Sequence, residues 1–338
     1  MLFNEDDKDM FKGKRILITG GTGSWGYELV SQLLDKNPAQ IKIFSRNEYC
    51  QVLMARKFNN SILKFVIGDV RDYQALYQAT QEIDFIFHLA ALKHVPICEE
   101  QPDEAIKTNI NGVENIIKVS IENKVEKVID VSTDKAVSPI NVYGMTKALG
   151  EKLIIQANTI SSDTRFVCIR AGNVLGTNGS VLPHFVKQVK ISGIITITDP
   201  EMTRYFLTLQ EAINLLFKAS ENSLGGEVFV MKMPGLKIST MARVIKNELG
   251  DENTIIKEIG KRPGEKIHEV LVSKHESSNT YVYDKQYYLI LPQLEIDELK
   301  YHYNIAQMKK IGIAEYSSNY RVLNYKETRE MLFKSKFL

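Results

Sequence analysis

The 338-residue sequence has three cysteines, no apolar run of membrane-spanning length and almost no net charge. Cys50, Cys98 and Cys168 are odd in number and irregularly spaced, which argues against a disulfide framework and against a zinc site. No stretch approaches the roughly 18 consecutive apolar residues of a spanning helix. The formal charge of +2 gives no reason to expect nucleic acid or an anionic membrane as a partner, so any bound anion needs a local site. The start, MLFNEDDKDMF, is acidic and lacks the basic-then-apolar layout of a signal peptide, so a cytoplasmic protein is expected. His88, His184, His268, His275 and His302 have no metal-ligand spacing, and no metal is expected. Internal repeats and low-complexity tracts are absent as well.

What is present is ordinary globular material, 44% hydrophobic and 25% charged, long enough for one large domain or two fused lobes. The first half alternates short apolar runs with segments of helical spacing. Strands are expected at Arg15–Thr19, Ile41–Phe44, Leu63–Ile67, Phe85–Leu89, Lys127–Val131 and Phe166–Arg170. These runs are continuous rather than alternating, as in strands covered on both faces. Helices are expected at Glu28–Leu34, Asp103–Asn123 and Tyr143–Asn158. The expected fold is therefore α/β, a Rossmann-type doubly wound parallel sheet. From about Gly172 loops rich in Gly, Pro and Asn take over. We divide the chain into a dinucleotide-binding part, 1–172, and a smaller α/β substrate-binding lobe, mainly 173–338, between which the chain is free to cross. The tail after about Tyr301 carries no readable role.

The first expected strand runs into Gly20-Gly21-Thr22-Gly23-Ser24-Trp25-Gly26 and then a helix. Glycines permit the tight turn and close backbone approach to a pyrophosphate, and the helix start offers free N–H groups. A merely flexible turn is the alternative, but strand, loop and helix in this order are the context the motif requires. The second strand ends Phe44-Ser45-Arg46 without the acid that would hold a ribose 2′-hydroxyl. Arg46 suits a 2′-phosphate and Ser45 can hydrogen-bond it, which favours NADP over NAD; the alternative is a surface Arg46 with Glu48 in the ribose role. Asp69, followed by Val70, either accepts from the adenine amino group or caps a helix. Ala90, Ala91 and Lys93 follow the fourth strand, where the cofactor ring is expected, and Lys93 is also placed to meet substrate. His94 is read as structural.

The fifth strand leads into Ser132-Thr133-Asp134-Lys135, and ten residues after Thr133 comes Tyr143, with Lys147 one helical turn on. An ammonium near Tyr143 would favour phenolate and lower its pKa, and the phenolate could then take a proton from a sugar hydroxyl. Taken alone, Tyr-x-x-x-Lys is common by chance, and Asp134-Lys135 elsewhere would read as a surface ion pair or a cap. Behind a dinucleotide loop, catalysis is the better reading of both.

Seven segments in order, TGGTGSWG, AALKHVP, KTNINGVENII, STDKAVSPINVYGMTK, GNVLGTNGSVLPHF, DPEMTRYF and RPGEKIHE, resemble the polysaccharide-biosynthesis group of extended short-chain dehydrogenases. Within it they are similar to the UDP-N-acetylglucosamine 4,6-dehydratases. The resemblance implies that Tyr143 deprotonates the C4 hydroxyl as hydride passes to NADP, that Lys135, with lowered pKa, takes the C5 proton, and that a protonated Asp134 releases the C6 hydroxyl as water. Hydride then returns to C6. It also implies that Asn173, Ser180, Val181, Pro183, Arg204, Arg262 and Glu265 meet the UDP-sugar, although each arginine could instead form a salt bridge between lobes. Pairing into a homo-oligomer is expected for this fold. The rival expectations are a nucleotide-sugar 4-epimerase or dehydrogenase, which does not need Asp134-Lys135, and a non-catalytic NADP-binding protein, which would not need Tyr143 and Lys147.

Overall fold

The computed structural model describes residues 10–177, 179–294 and 297–335; the acidic stretch 1–9, read above for a targeting signal, lies outside them. In chain order the first half comprises β1 (Arg15–Thr19), α1 (Ser24–Leu34), β2 (Gln40–Ser45), α2 (Glu48–Phe58), β3 (Leu63–Ile67), α3 (Tyr73–Thr80), β4 (Phe85–His88), α4 (Val95–Glu100), α5 (Pro102–Ile106), α6 (Gly112–Glu122), β5 (Lys127–Thr133), α7 (Val142–Ala157) and β6 (Arg165–Ala171). The second half adds β7 (Asn173–Val174), α8 (Val181–Ser192), β8 (Ile194–Ile197), β9 (Thr203–Leu207), α9 (Leu209–Asn222), β10 (Val228–Met231), β11 (Gly235–Lys237), α10 (Ile238–Leu249), β12 (Ile255–Glu258), β13 (Val270–Val272), β14 (Thr280–Val282), β15 (Tyr287–Ile290), α11 (Asp297–His302), β16 (Tyr316–Ser317) and α12 (Tyr325–Lys334).

Nine strands form the central sheet in the order β14-β15-β10-β6-β5-β4-β1-β2-β3. The seven strands from β10 to β3 run parallel; β15 is antiparallel to both its neighbours. The continuous apolar runs are explained by burial on both faces: Leu17, Ile18, Ile43, Phe87, Ile129 and Ile169 are all inaccessible. Each such side chain stabilises the fold by about 1.5–3 kcal/mol. The chain winds outward one way through β1, β2 and β3 and the other way through β4, β5 and β6. The switch point thus lies between the carboxyl ends of β1 and β4.

Three sequence expectations need adjustment. The fifth strand continues two residues past Val131 to Thr133, because its pairing with β6 persists to Ala171. The first helix starts at Ser24 rather than Glu28, directly on the glycine loop. The long helix expected over 103–123 is interrupted by a π-helical turn at Lys107–Asn111. There Asn109 turns its side chain inward to bond Leu92 and the Thr146 hydroxyl on α7.

The second half does not stay apart. β10, β15 and β14 extend the main sheet, while Leu182, Phe185, Phe206, Met241 and Ile245 build a second core around α8, β8 and α10. The tail acquires a place: β16 pairs with β13, and α12 buries Leu332 in that second core.

Candidate functional site

At the carboxyl ends of the parallel strands opens a cleft of about 590 Å³. Its walls are the glycine loop, the ends of β2, β3 and β4, the turn after β5, the start of α7 and residues 171–174, 177 and 179–181. Gly20 sits at φ +65°, and a Cβ there would lie 2.8 Å from Ala90 backbone. Gly26 faces away from the cleft: a Cβ on it would come within 1.9 Å of the Gly21 carbonyl, so glycine here is what lets α1 pack against the loop. The first turn of α1 has no side-chain cap and no acidic residue, leaving its N–H groups and positive dipole end to a phosphate. Together with the cleft's position at the switch point, this cradle fits a nicotinamide dinucleotide.

Of the expected cofactor residues, Gly20, Thr22, Gly23, Ser24, Trp25, Ser45, Arg46, Asp69, Val70, Ala90, Ala91 and Lys93 line the cleft. Arg46 is largely exposed, its Nη1 3.8 Å from Asp69 Oδ2. Glu48 is exposed in the first turn of α2 and is not on the wall. Asp69 is gripped by Arg71 through Nε at 2.9 Å and Nη2 at 2.6 Å. Burial alone would raise the Asp69 pKa, but these bonds outweigh it and hold the carboxyl below its ordinary value. The cap of α3 is Asp72, which accepts from Ala75 N–H, so Asp69 is not a helix cap.

At the other end, β5 delivers Thr133 to the cleft wall. The Thr133 hydroxyl donates to Asp134 Oδ1 at 3.0 Å and accepts the Lys135 backbone N–H at 3.3 Å, which fixes a single 3₁₀ turn. Lys135 Nζ is then held by Asp134 Oδ1 at 3.0 Å, Asn173 Oδ1 at 3.3 Å and Glu269 Oε1 at 3.6 Å. Asn141 caps α7 by accepting from Gly144 N–H, and this start of the helix places Tyr143 and Lys147 on the cleft. Lys147 Nζ lies 3.3 Å from Asp130 Oδ2, both groups buried.

The proton affinities differ from expectation at two places. Lys135 was expected to have a lowered pKa. Burial does work that way, but the Asp134 and Glu269 carboxylates outweigh it and hold the ammonium above its ordinary value. Tyr143 was expected to be shifted down by Lys147. Burial of its hydroxyl is larger than the pull of Lys147 and Lys135, and the net direction is up. Lys147 is itself raised, because Asp130 overcomes the burial penalty. Asp134 does follow expectation: burial pushes its carboxyl up despite Lys135. Asp134 is nevertheless wholly buried and does not line the cleft, and its Oδ2 has no hydrogen-bond partner among the described residues.

Lys93, Asn173, Ser180 and Val181 line the cleft. Lys93 is an exposed residue by its accessible surface, yet the protein around its ammonium desolvates it and lowers its pKa. Ser180 Oγ is buried without a partner among the described residues. Pro183, Arg204, Arg262 and Glu265 are not brought to the wall. Pro183 sits in the first turn of α8. Arg204 spends its guanidinium internally, on the Thr203 carbonyl at 2.7 Å, the Ile267 carbonyl at 3.2 Å and Glu269 at 3.6 Å. Arg262 is exposed, and Glu265 Oε2 accepts its backbone N–H at 3.2 Å to close a local turn.

Sequence reasoning missed Glu269 and Lys266, which approach the Thr133–Lys135 turn while the named members of RPGEKIHE stay outside. Lys266 Nζ donates to Val137 O at 2.6 Å. The available signal was the Lys–Glu pair three residues apart within that segment. His88, at the end of β4, is hydrogen-bonded at Nδ1, 2.7 Å from Thr19 Oγ1. It borders the cleft with Nε2 unpartnered among the described residues, and burial pushes it down to about 4, so it is neutral at pH 7.

The sequence matches the family described as "Polysaccharide biosynthesis protein" over residues 16–291. It is 41% identical to a UDP-N-acetylglucosamine 4,6-dehydratase (inverting) of Campylobacter jejuni, with 90% of each chain covered. It is 42% identical to a protein named UDP-glucose 4-epimerase from Rickettsia prowazekii, with 96% of each covered. Among solved structures, Pen from Bacillus thuringiensis superposes with a TM-score of 0.90 at 37% identity, covering 97% of this chain and 99% of that one. The glycine cradle, the cleft at the switch point, the Tyr143–Lys147 helix and this similarity along nearly the whole length agree: the chain belongs to the polysaccharide-biosynthesis family of extended short-chain dehydrogenases/reductases.

Proposed function

We propose that the protein catalyses the NADP-dependent 4,6-dehydration of UDP-N-acetylglucosamine to a UDP-4-keto-6-deoxy sugar, for surface polysaccharide or glycan biosynthesis. The observation that carries this reading is the Asp134–Lys135 pair, with Lys135 beside Tyr143 on the same cleft as the phosphate cradle and Asp134 buried behind it. A 4-epimerase needs the cradle and the tyrosine but not a buried acid–base pair beside them.

A nicotinamide cofactor held by the glycine loop and the ends of β2 to β4 would supply a reversible hydride acceptor for the sugar. Tyr143 lines the cleft and takes the C4 hydroxyl proton, with the Lys147 ammonium, fixed by Asp130, stabilising the phenolate. Lys135 works as a base only after its proton moves to Asp134 across the 3.0 Å bond; burial favours that neutral pair. The neutral amine then takes the C5 proton. Since Asp134 does not reach the cleft, its proton passes to the leaving C6 hydroxyl through the Thr133 hydroxyl, which does and lies 3.0 Å from Asp134 Oδ1. The face on which C5 is reprotonated decides whether that centre is inverted. On this reading Lys93, Asn173, Ser180 and Val181 meet the UDP-sugar, residues 1–172 hold the cofactor, and 173–338 mainly hold the sugar nucleotide. A cytoplasmic homo-oligomer fits: no helix among the described residues is long and apolar enough to cross a membrane, and Ile97, Met145 and Leu149 are exposed.

Incubation with UDP-N-acetylglucosamine alone is expected to yield a product lighter by one water with a new C6 methyl signal, read by mass spectrometry and proton NMR. The epimerase reading, supported by the Rickettsia name, requires unchanged mass and a new ring configuration.

NADP is favoured by Arg46 on the wall and by the missing acid at the end of β2. Arg46→Ala is expected to weaken NADP binding by about 10- to 100-fold, the loss of one charge-assisted contact, while NAD binding changes little. Calorimetric titration of both cofactors decides it; equal losses for the two would sink the assignment.

A further inference from the structure

Glu269 has no part in the mechanism above, yet it is built into the catalytic turn. It stands immediately before β13 and is buried, and Ser318 holds its backbone on both sides: its N–H donates to Ser318 Oγ at 3.0 Å, and its carbonyl accepts Ser318 N–H at 2.8 Å. Its Oε1 lies 3.6 Å from both Lys135 Nζ and Arg204 Nε. Its Oε2 has no hydrogen-bond partner among the described residues. The segment carrying it is clamped onto the loop before α7, through Lys266 on Val137 O at 2.6 Å and Asn141 Nδ2 on Gly264 O at 2.9 Å. The carboxylate is therefore fixed relative to Lys135.

The charged and titratable groups facing this spot are few. Asp134 comes from the turn itself, Tyr143 from α7, Arg204 from β9, Lys266 from the clamped segment and Glu269 from the start of β13. Two buried carboxylates thus share three cations, Lys135, Arg204 and Lys266, of which Arg204 is buried. Glu269 sits between Lys135 and Arg204, whereas Asp134 forms an ion pair only with Lys135 among the described residues. Burial disfavours both anions, but Lys135, Arg204 and Lys266 together keep Glu269 below its ordinary value while Asp134 goes up. The two carboxylates are consequently unequal: Glu269 stays charged, and Asp134 is the one free to carry a proton.

We propose that Glu269 is a positioning residue that holds the Lys135 amine at the cleft wall and stabilises the ammonium formed there when Lys135 takes the C5 proton. The inference rests on the dehydratase reading for its catalytic consequence. In that step Lys135 first gives a proton to Asp134. The C5–H bond breaks toward Lys135, its electron pair forms C5=C6, and the C6–O bond breaks as the proton held by Asp134 reaches O6 and water leaves. Lys135 ends as ammonium and Asp134 as carboxylate, the charges they had before the transfer, and Glu269 remains ionised beside Arg204 throughout.

The test is lysine acylation of the full-length protein at fixed pH, mapped by mass spectrometry, with exposed Lys64 as internal standard. Only the neutral amine reacts. Removing one opposite charge at this range lowers a lysine pKa by about one unit or more, so Glu269→Gln is expected to label at Lys135 about tenfold faster than wild type. Glu269→Asp is expected to stay near the wild-type rate, and Lys147, paired to Asp130, to be unchanged in both. In turnover, the acid limb of the Glu269→Gln pH profile should move to lower pH with KM nearly unchanged. Equal Lys135 labelling in Glu269→Gln and wild type overturns the proposal, as does a parallel rise at Lys147, which would mean loosened packing. A wild-type protein that makes no 4-keto product would remove the dehydratase reading, while the labelling still decides whether Glu269 governs Lys135.

Discussion

Lys135→Met is expected to lose water elimination from UDP-N-acetylglucosamine by about 100- to 10,000-fold, the range that a positioned acid or base contributes. Methionine keeps the unbranched apolar stem and removes only the amine. The fold should tolerate it, because the two carboxylates left behind are provided for: Asp134 is already pushed toward its neutral form, and Glu269 keeps Arg204 at 3.6 Å. Cofactor binding should be unchanged, since the glycine cradle and Arg46 lie at the other end of the cleft. Product mass and the C6 methyl signal, followed beside a calorimetric cofactor titration, give both readouts. Full dehydratase activity in the variant would remove Lys135 from the mechanism. A variant that still changes the sugar configuration without losing water would show that Tyr143 and the cofactor support an epimerase by themselves.

Arg170→Met is expected to be the most damaging substitution for stability, by about 3–5 kcal/mol, because it strands two carboxylates in the interior. Arg170 on β6 bonds Glu151 on α7 through Nε at 2.9 Å, Glu276 through Nη1 at 3.0 Å and the Leu271 carbonyl at 3.0 Å. One guanidinium thereby ties the helix carrying Tyr143 and Lys147 to the segment beyond β13. The pH dependence identifies the cause. Burial would raise the Glu276 pKa, but Arg170 outweighs it and holds that carboxyl down at about 2, against an ordinary 4.5. A carboxyl depressed in the folded state contributes stability that is fully present above about 4.5 and lost as pH falls from there toward 2. The penalty of Arg170→Met should therefore be large at pH 7 and shrink through that acidic window. Urea midpoints at several pH values measure it. The triple variant Arg170→Met, Glu151→Gln, Glu276→Gln should recover much of the loss. A penalty independent of pH would mean that packing, and not charge, is what Arg170 supplies.

The local patterns were legible because they depend on neighbours in sequence. Apolar runs such as KRILIT and FIFH mark strands covered on both faces, and a glycine loop directly between strand and helix needs no distant partner to declare itself. The one-turn spacing of Tyr143 and Lys147 is a property of any helix, and so both reach the cleft together. The π-helical turn at Lys107–Asn111 was not legible: it arises where Asn109 reaches Leu92 and Thr146, 17 and 37 residues away.

Charge states were the least legible part of the site. The family resemblance implied a Lys135 with lowered pKa. Asp134, its neighbour in sequence, and Glu269, which folding brings within 3.6 Å from 134 positions further along the chain, together reverse the sign. Arg204 and Arg262 carried the right chemistry for phosphate, yet the first is consumed inside by Glu269 and backbone carbonyls and the second stays on an outer turn. The sequence alone determined that this is a doubly wound α/β chain with a dinucleotide loop and a Tyr–Lys helix, because periodicity and short-range spacing carry those features. Only the tertiary structure decided which buried acids and bases share a space. Electrostatic interaction depends on distance through the interior and on the water excluded from it, and neither is written along the chain.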